Sequence, residues 1–478
     1  DPRTSTRMDA PTLQAEIARR REALIAMGLR RGDRVVLMHG NTPHAFADLM
    51  AVWDAGACPI PVDPCAAPAE LERLVRHAAP RLTIRRDGAC SGLTAATAGV
   101  RLVDSRELDS YRPRRRGRRS SLEMDDPALI LYTSGVTGRP KAVLHTFRSL
   151  FFRLRRLKKH LGTADFKRTL CLLPTHFAHG LISNSLYPLL NGCELILLPP
   201  FSLPILMETG GIIDEYRVTF MSSVPTVWNM ALRMAPAPRR GTLRRVHSAS
   251  APLSAASWKG IKDWTRARTV KNVYGMTETC SWIAGTDDGA APPVDWHVGR
   301  GWGARIAVRA RADGPGEVWV KTGSLMRGYY RQAALTRAVV RDGWYRTGDV
   351  GYLHADGGLV LLGRTDDVIN RSGLKIHPAE VEAALAEHPG ISEACVFGLP
   401  DPVGGEVVCA ALVPFRAAQA PSPLELASWC RHHLAPSKIP TQWFTPASLP
   451  KTSSGKFRRK DVAALCAGLS RHESQKAS

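Results

Sequence analysis

The stretch that decides the fold is Leu131-Tyr132-Thr133-Ser134-Gly135-Val136-Thr137-Gly138-Arg139-Pro140-Lys141. An apolar run, residues 128–131, leads directly into it and predicts a buried strand. In the loop that follows, glycines let backbone N–H groups approach a phosphate, hydroxyls add donors, and the lysine adds a positive charge. The loop therefore favours a polyphosphate site. An ordinary turn is the alternative, and the spacing is not that of a P-loop.

The order Tyr-Thr-Ser-Gly-x-Thr-Gly-x-Pro-Lys resembles the signature loop of the adenylate-forming superfamily, which includes acyl-CoA synthetases, stand-alone acyl adenylases, peptide-synthetase adenylation domains and luciferases. A second segment, Tyr274-Gly275-Met276-Thr277-Glu278, matches the family pattern Tyr-Gly-x-Thr-Glu. In that pattern an aromatic face can stack on adenine, a hydroxyl can bond the α-phosphate, and a carboxylate can bind Mg²⁺. The two segments together resemble the acyl-CoA synthetase and stand-alone acyl adenylase branch.

The resemblance implies an α/β fold with two domains. A large N-terminal adenylation domain of layered sheets and helices would cover residues 1–364, and a small mobile α+β domain would cover residues 365–478. A chain of 478 residues is too long for one compact core. Strand and helix patterns alternate between residues 35 and 62, which predicts an α/β sheet. The chain begins later than the family pattern, so we expect one or two early strands to be missing.

The resemblance also implies an ATP and AMP site built from several distant segments. The phosphate-binding residues would be Thr133, Ser134, Gly135, Thr137, Gly138 and Lys141. The adenine and ribose side would be formed by Ser250, Ala251, Pro252, Tyr274, Gly275, Asp349 and Arg364. Asp349 suits the ribose because a carboxylate accepts hydrogen bonds from both hydroxyls. The implied catalytic residues are Thr277, Glu278 and Lys456, with Glu278 as the ligand of Mg²⁺.

The segment after the predicted strand at residues 170–173 corresponds to one wall of the family's acyl pocket. The implied pocket residues are His176, Phe177, His179, Ser248, Gly275 and Met276, with Phe177 at the gate. Residues 175–180 contain no acid that could pair a substrate ammonium, which argues against an α-amino acid. Asn272 lies where malonate-activating relatives place an arginine. An aryl or medium aliphatic acid is therefore expected.

The C-terminal motifs concern the second half of the reaction. By resemblance, Asp366 is the hinge about which the small domain rotates, and Gly373 lines a pantetheine tunnel. CoA is therefore the expected thiol acceptor, with a carrier protein or another nucleophile as alternatives.

The phosphate loop departs from the family pattern at Val136, which stands where the family has a hydroxyl. The loss of that hydroxyl should weaken phosphate binding by about 1 kcal/mol.

The net charge of +22 requires that nucleic acid be considered as a partner. The densest basic run, residues 112–119, contains no aromatic residue that could stack on bases, so a solvated loop is favoured. A basic nucleic-acid-binding protein on a degenerate adenylase fold is the non-enzyme alternative, and the retained Glu278, Asp349 and Lys456 argue against it. The sequence therefore predicts small acids and CoA as partners, with neither nucleic acid nor a membrane.

The ten cysteines are scattered, with neither C-x-x-C pairs nor the spacing of metal ligands with histidines. This usage predicts a reduced, cytoplasmic protein without a structural zinc. The oligomeric state is not predicted by any pattern in the chain.

Overall fold

The computed structural model describes residues 1–86, 99–112, 121–133, 141–251, 253–288, 294–310, 315–372, 374–401, 405–416, 419–451 and 457–476. The architecture is mixed α/β, as the sequence predicted, with a large N-terminal part of sheets and helices followed by a small C-terminal part. Within the described residues, none of the helices has the length and apolar character needed to cross a membrane.

The strands are β1 Arg34–Met38, β2 Cys58–Pro61, β3 Leu82–Arg85, β4 Arg101–Asp104, β5 Pro127–Thr133, β6 Lys141–Thr146, β7 Arg168–Cys171, β8 Glu194–Leu197, β9 Phe220–Ser223, β10 Arg245–Ala249, β11 Thr269–Met276, β12 Ser281–Gly285, β13 His297–Gly301, β14 Ala304–Arg309, β15 Gly316–Thr322, β16 Gly328–Tyr329, β17 Val340–Arg341, β18 Trp344–Leu353, β19 Leu359–Arg364, β20 Ile369–Arg371, β21 Leu374–Ile376, β22 Ile391–Asp401, β23 Gly405–Pro414 and β24 Gln442–Phe444.

The α-helices are α1 Ala10–Ala26, α2 Pro43–Asp54, α3 Pro68–Ala78, α4 Ser105–Ser110, α5 Phe147–Leu161, α6 Tyr187–Leu190, α7 Leu203–Glu215, α8 Pro225–Met234, α9 Ala255–Thr265, α10 Ala333–Val339, α11 Pro378–Ala386, α12 Pro423–His433 and α13 Arg459–Lys476. A π-helical turn, His179–Leu186, leads directly into α6.

Two sheets form the frame of the N-terminal part. The first is a four-stranded parallel sheet in the order β2-β1-β3-β4, which confirms the strand and helix alternation predicted for residues 35–62. The second is a twelve-stranded sheet whose parallel half runs β8-β7-β9-β10-β11. Parallel strands end at one edge of their sheet, and that edge is where ligands bind in open α/β folds.

The antiparallel hairpin of β5 and β6 flanks the predicted phosphate loop. Thr133 at the end of β5 pairs with Lys141 at the start of β6, and the Thr133 hydroxyl donates to the Lys141 carbonyl at 3.5 Å. The predicted strand at residues 128–131 is confirmed as the buried middle of β5. Seven predicted site residues lie outside the described residues: Ser134, Gly135, Thr137, Gly138, Pro252, Gly373 and Lys456. The departure at Val136 lies there as well.

The helix after this hairpin, α5, begins and ends with clear local signals. The Thr146 hydroxyl accepts from the Ser149 N–H at 3.3 Å, and Gly162 ends the helix at a φ of 64°. One basic residue of this helix is buried rather than exposed to solvent. Arg153 is fully buried on the same face as Leu154 and Leu157, because its guanidinium has polar partners in the core.

The C-terminal part has its own sheet, ordered β21-β20-β23-β22 with β24 beside β23, and its own apolar cores. It contacts α8 of the N-terminal part through Arg233. That guanidinium donates to the carbonyls of Ala386 and Ile391 at 2.8 and 2.7 Å, and lies 4.6 Å from the centre of the Phe415 ring. Arg233 thus bonds mostly to backbone carbonyls, and a pattern of side-chain types cannot predict such a contact.

Candidate active site

Several of the predicted site residues lie at the carboxyl edge of the parallel strands. His176, Phe177 and His179 follow β7, and Ser250 and Ala251 follow β10. Tyr274, Gly275 and Met276 end β11, and a short 3-10 turn, Thr277–Thr279, comes directly after it. Segments separated by about 100 residues in the chain therefore reach one edge of one sheet.

His179 joins three of these strand ends. Its Nε2 lies 2.8 Å from the Ser222 hydroxyl on β9, and its Nδ1 lies 3.3 Å from the Ser250 hydroxyl after β10. The ring packs edge-on against Trp282 of β12 at 5.3 Å between centroids. Ser250 has a φ of 73°, which few non-glycine residues adopt, so its loop is held in a specific shape by these contacts.

Two buried hydroxyls at the same edge point to a polar ligand. Ser223 and Ser248 are fully buried, and their hydroxyls have no hydrogen-bond partner among the described residues. A buried hydroxyl without a partner is unfavourable, so such groups mark places where a bound molecule or water completes the bonding.

The other acyl-pocket residues are placed as follows. The rings of His176 and Phe177 are 4.2 Å apart, and His176 faces a small cavity that it lines with His39 and Thr175. A Cβ on Gly275 would lie 2.2 Å from the Ser281 carbonyl oxygen, so this position accepts only glycine. Gly275 therefore holds β11 against β12 whatever it also does for a ligand.

A second group forms where the antiparallel strands meet β11. Asp349 on β18 pairs with Arg364 on β19, and their side chains are 3.3 Å apart. The Tyr274 hydroxyl donates to the other carboxylate oxygen of Asp349 at 2.5 Å. Burial raises the pKa of the Tyr274 phenol well above its usual value, so the phenol stays protonated and donates. Tyr274, Asp349 and Arg364, all predicted for the adenine and ribose side of the site, thus form one contact group centred on Asp349.

The third group surrounds Glu278. The Tyr329 hydroxyl donates to Glu278 Oε1 at 2.8 Å, and the Lys141 ammonium lies 5.7 Å from the centre of the Tyr329 ring. Lys141, predicted to bind phosphate, and Glu278, predicted to bind magnesium, therefore both lie next to the side chain of Tyr329. Glu278 Oε2 has no hydrogen-bond partner among the described residues, which leaves a hard oxygen for a cation.

Three backbone bonds fix the turn that carries Thr277 and Glu278. His145 Nε2 donates to the Thr277 carbonyl at 2.7 Å, the Met326 N–H to the Glu278 carbonyl at 2.8 Å, and the Ser324 hydroxyl to the Thr279 carbonyl at 2.9 Å. Each carbonyl in the turn thus has its own donor, and the side chains above it are held in place.

Arg153 supports the turn Thr277–Thr279 through Ser324. Its guanidinium donates to the Ser324 hydroxyl at 2.6 Å and to the Trp302 carbonyl at 2.8 Å. Burial lowers the pKa of Arg153 to about 10, so it remains charged at neutral pH. Tyr329, His145 and Arg153 are the residues that sequence reasoning missed. The one signal for them in the sequence is the Gly328-Tyr329-Tyr330 segment, which resembles a structural segment of the family.

The buried His145 predicts a pH dependence of stability. Burial lowers its pKa from 6.5 to about 4, so the folded protein keeps it neutral while the unfolded chain protonates below about pH 6.5. Its stabilising contribution is therefore complete above that pH and declines toward pH 4. Between pH 7 and pH 5 the loss should be about 2 kcal/mol. Urea unfolding at both pH values measures it.

The matched variants are His145→Gln, which can still donate to the Thr277 carbonyl but does not titrate, and His432→Gln on the exposed face of α12. We expect His145→Gln to reduce the stability difference between the two pH values by about 2 kcal/mol. His432→Gln should leave it unchanged. An identical pH dependence in wild type and His145→Gln would contradict the assignment.

The arrangement defines a class of protein: an enzyme that binds a nucleotide across several strand ends and activates an acid on it. Two family models match the chain: one described as AMP-binding enzyme over residues 6–330, the other as AMP-binding enzyme C-terminal domain over residues 380–456. The chain belongs to the AMP-binding enzyme family, and its class is that of the AMP-forming acid–thiol ligases, as the sequence predicted.

Relatives and solved structures agree with this membership. The chain is 31% identical to a 2-succinylbenzoate–CoA ligase of Bacillus velezensis over 92% of this chain and 89% of that protein. It is 30% identical to a feruloyl-CoA synthase of an Amycolatopsis species, over 94% and 92%. It also resembles o-succinylbenzoate CoA synthetase of Bacillus subtilis in complex with ATP and magnesium, with 26% identity, a TM-score of 0.85, and coverage of 95% and 94%.

Proposed function

We propose that the protein activates an aryl or medium aliphatic carboxylic acid with ATP and transfers the acyl group to the thiol of CoA. The observations that support the proposal are that Lys141 and Glu278 both lie next to Tyr329, and that Asp349 contacts Tyr274 of β11, beside the carboxyl edge where β11 ends. This edge offers a cation, a carboxylate with one open oxygen, and a carboxylate set for ribose, which together match a magnesium nucleotide.

In the first step, a carboxylate oxygen of the acid forms a bond to the α-phosphorus of ATP. The bond from that phosphorus to its bridging oxygen breaks, and pyrophosphate leaves with its electrons. Positioning and charge stabilisation carry such a reaction, because the protein forms no covalent bond. Thr133 and Lys141 would hold the outer phosphates, and Thr277 the α-phosphate. Glu278 would hold magnesium, which when bound neutralises phosphate charge.

In the second step, the CoA thiol loses its proton and its sulfur bonds to the acyl carbonyl carbon. The bond between that carbon and the adenylate oxygen breaks, which releases AMP and leaves the thioester. We propose that the C-terminal domain, residues 365–478, rotates between the two steps about Asp366. This residue is exposed in a single 3-10 turn, Thr365–Asp367, between β19 and β20, and such an exposed connection suits a hinge.

The proposed acid class draws on two lines of support. The rings of His176 and Phe177 lie together after β7, and residues 175–180 contain no carboxylate for an ammonium group. The relatives named above carry 2-succinylbenzoate or feruloyl groups in their names, both of which are aryl acids. Carboxylates without an amino group are therefore the first candidates. We also propose a cytoplasmic location, since the ten cysteines are scattered through the chain and form no C-x-x-C pairs, which is typical of a protein in a reducing compartment.

A panel of acids in a pyrophosphate-release assay tests the proposal. We expect ATP- and magnesium-dependent release with aryl acids, a smaller rate with medium aliphatic acids, and background rates with α-amino acids and malonate. Mass analysis with CoA and, separately, with a pantetheine-bearing carrier protein identifies the acceptor. Thioester on CoA is expected. Acyl transfer to the carrier alone, or no release with any acid, would contradict the proposal.

A further inference from the structure

A cluster of three metal-ligating side chains lies outside the nucleotide site. It consists of His297 on β13 with His354 and Asp356 at the turn between β18 and β19. His297 Nε2 is 3.2 Å from Asp356 Oδ2, and His354 Nδ1 is 3.2 Å from Asp356 Oδ1. One ligand atom from each residue can be chosen so that all of them lie within 4.8 Å of one another.

These distances match the edges of a small tetrahedron. Zinc lies about 2.0–2.2 Å from nitrogen and oxygen ligands, so two of its ligands are about 3.3 Å apart. Both histidine–carboxylate pairs already have this separation. The imidazole of His354 can move toward that of His297, because His354 is 38% exposed at the end of a hairpin.

The backbone around the cluster holds its ligands toward one point. The Gly358 N–H donates to Asp356 Oδ1 at 2.8 Å and orients the carboxylate. A Cβ on Gly358 would lie 2.3 Å from His297 Nε2, so the glycine makes room for the imidazole. The nearby Arg300 donates to the Asp356 backbone carbonyl at 2.8 Å, so its bond is to the peptide group and the carboxylate charge is left for a cation.

We propose that His297, His354 and Asp356 bind one Zn²⁺, with water in the fourth position. Two imidazoles and one carboxylate form a donor set that zinc uses in sites with an open position, and Asp356 is 45% exposed to solvent. The ion would tie the closed end of the β18–β19 hairpin to β13. The open end of that hairpin carries Asp349 and Arg364, so zinc would stiffen the element that presents both.

Zinc titration of the metal-stripped protein against a chromogenic chelator tests this. The variants are His354→Ala, which removes an exposed ligand, and Asp356→Asn, which preserves the oxygen that accepts from Gly358. His432→Ala on α12 is the control for surface histidines. We expect one tight zinc per chain in wild type and in His432→Ala. In both ligand variants the affinity should fall by more than about 100-fold, beyond the usual effect of a residue that only supports a ligand.

Two further readouts separate a built site from adventitious binding. Zinc should raise the melting temperature of wild type and of His432→Ala but not of His354→Ala. Cobalt in place of zinc should give the intense visible absorption of tetrahedral coordination only when all three ligands are present. Equal zinc affinity in all four proteins, as exposed Cys65 would give, overturns the proposal, and so does a wild type that binds no zinc. None of these measurements involves ATP, so their outcome is independent of the proposed ligase activity.

Discussion

Replacing Glu278 with glutamine is expected to lower the rate of adenylate formation by at least about 100-fold without unfolding the protein. Glutamine keeps an oxygen that can accept from the Tyr329 hydroxyl, so the packing of the turn is retained. It loses the negative charge that would hold magnesium against the phosphates. ATP–pyrophosphate exchange, measured over a range of magnesium concentrations, reports this step directly.

Tyr329→Phe is the matched control, because it removes the hydrogen bond to Glu278 and leaves the carboxylate charge in place. Loss of one such bond costs about 1.5 kcal/mol at the lower end of the range for an ionised group, so about a 10-fold loss of exchange rate is expected. Glu278→Gln should therefore be slower than Tyr329→Phe, and higher magnesium should partly restore it. Equal exchange rates and equal magnesium dependence in wild type and Glu278→Gln would rule out the role as metal ligand.

The sequence predicted the frame of this site because the frame depends on local signals. The buried run at residues 128–131 and the alternation at residues 35–62 each specify their own element, and both are present. Once the strands are parallel, the segments that follow them must meet at one edge. The contact between Tyr274 and Asp349 does not follow from that rule, because Asp349 lies within the antiparallel strand β18, 75 residues along the chain.

The supporting residues could not be predicted because their chemistry is set by burial. Arg153 belongs to a basic stretch that a helical pattern assigns to solvent, yet it is buried against hydroxyls and a carbonyl. His145 directs its Nε2 at a carbonyl 132 residues away. Neither the charge pattern nor the apolar period of a helix contains information about such partners.

The histidine and aspartate cluster shows the same limit for metals. Rules for metal spacing detect ligands a few residues apart, as in C-x-x-C pairs. His354 and Asp356 are close in the chain, but His297 is 59 residues from Asp356 and reaches it only through the pairing of β13 with β19. The cysteine pattern predicted no structural zinc, and it carries no information about a site without cysteine.

The second large effect is expected at Lys456, for which we propose a catalytic role because it matches a motif of the family. In Lys456→Ala we expect adenylate formation to fall by about 100- to 1,000-fold, the usual effect of removing a group that stabilises developing charge. The affinity for ATP should change by only a few-fold, because Lys141 and Glu278 would still hold the phosphates and their metal. Pyrophosphate exchange measures the first quantity, and calorimetric titration with ATP measures the second.

Lys451→Ala provides a control that removes the same charge from the same segment. Lys451 forms an ion pair with Glu393 of β22, so its ammonium is engaged within the C-terminal domain. It should therefore leave the exchange rate within a few-fold of wild type. If Lys456→Ala and wild type exchanged pyrophosphate equally fast, Lys456 would have no part in the first step. If ATP affinity fell as much as the rate, the lysine would bind the ground state and the transition state equally, which lowers no barrier.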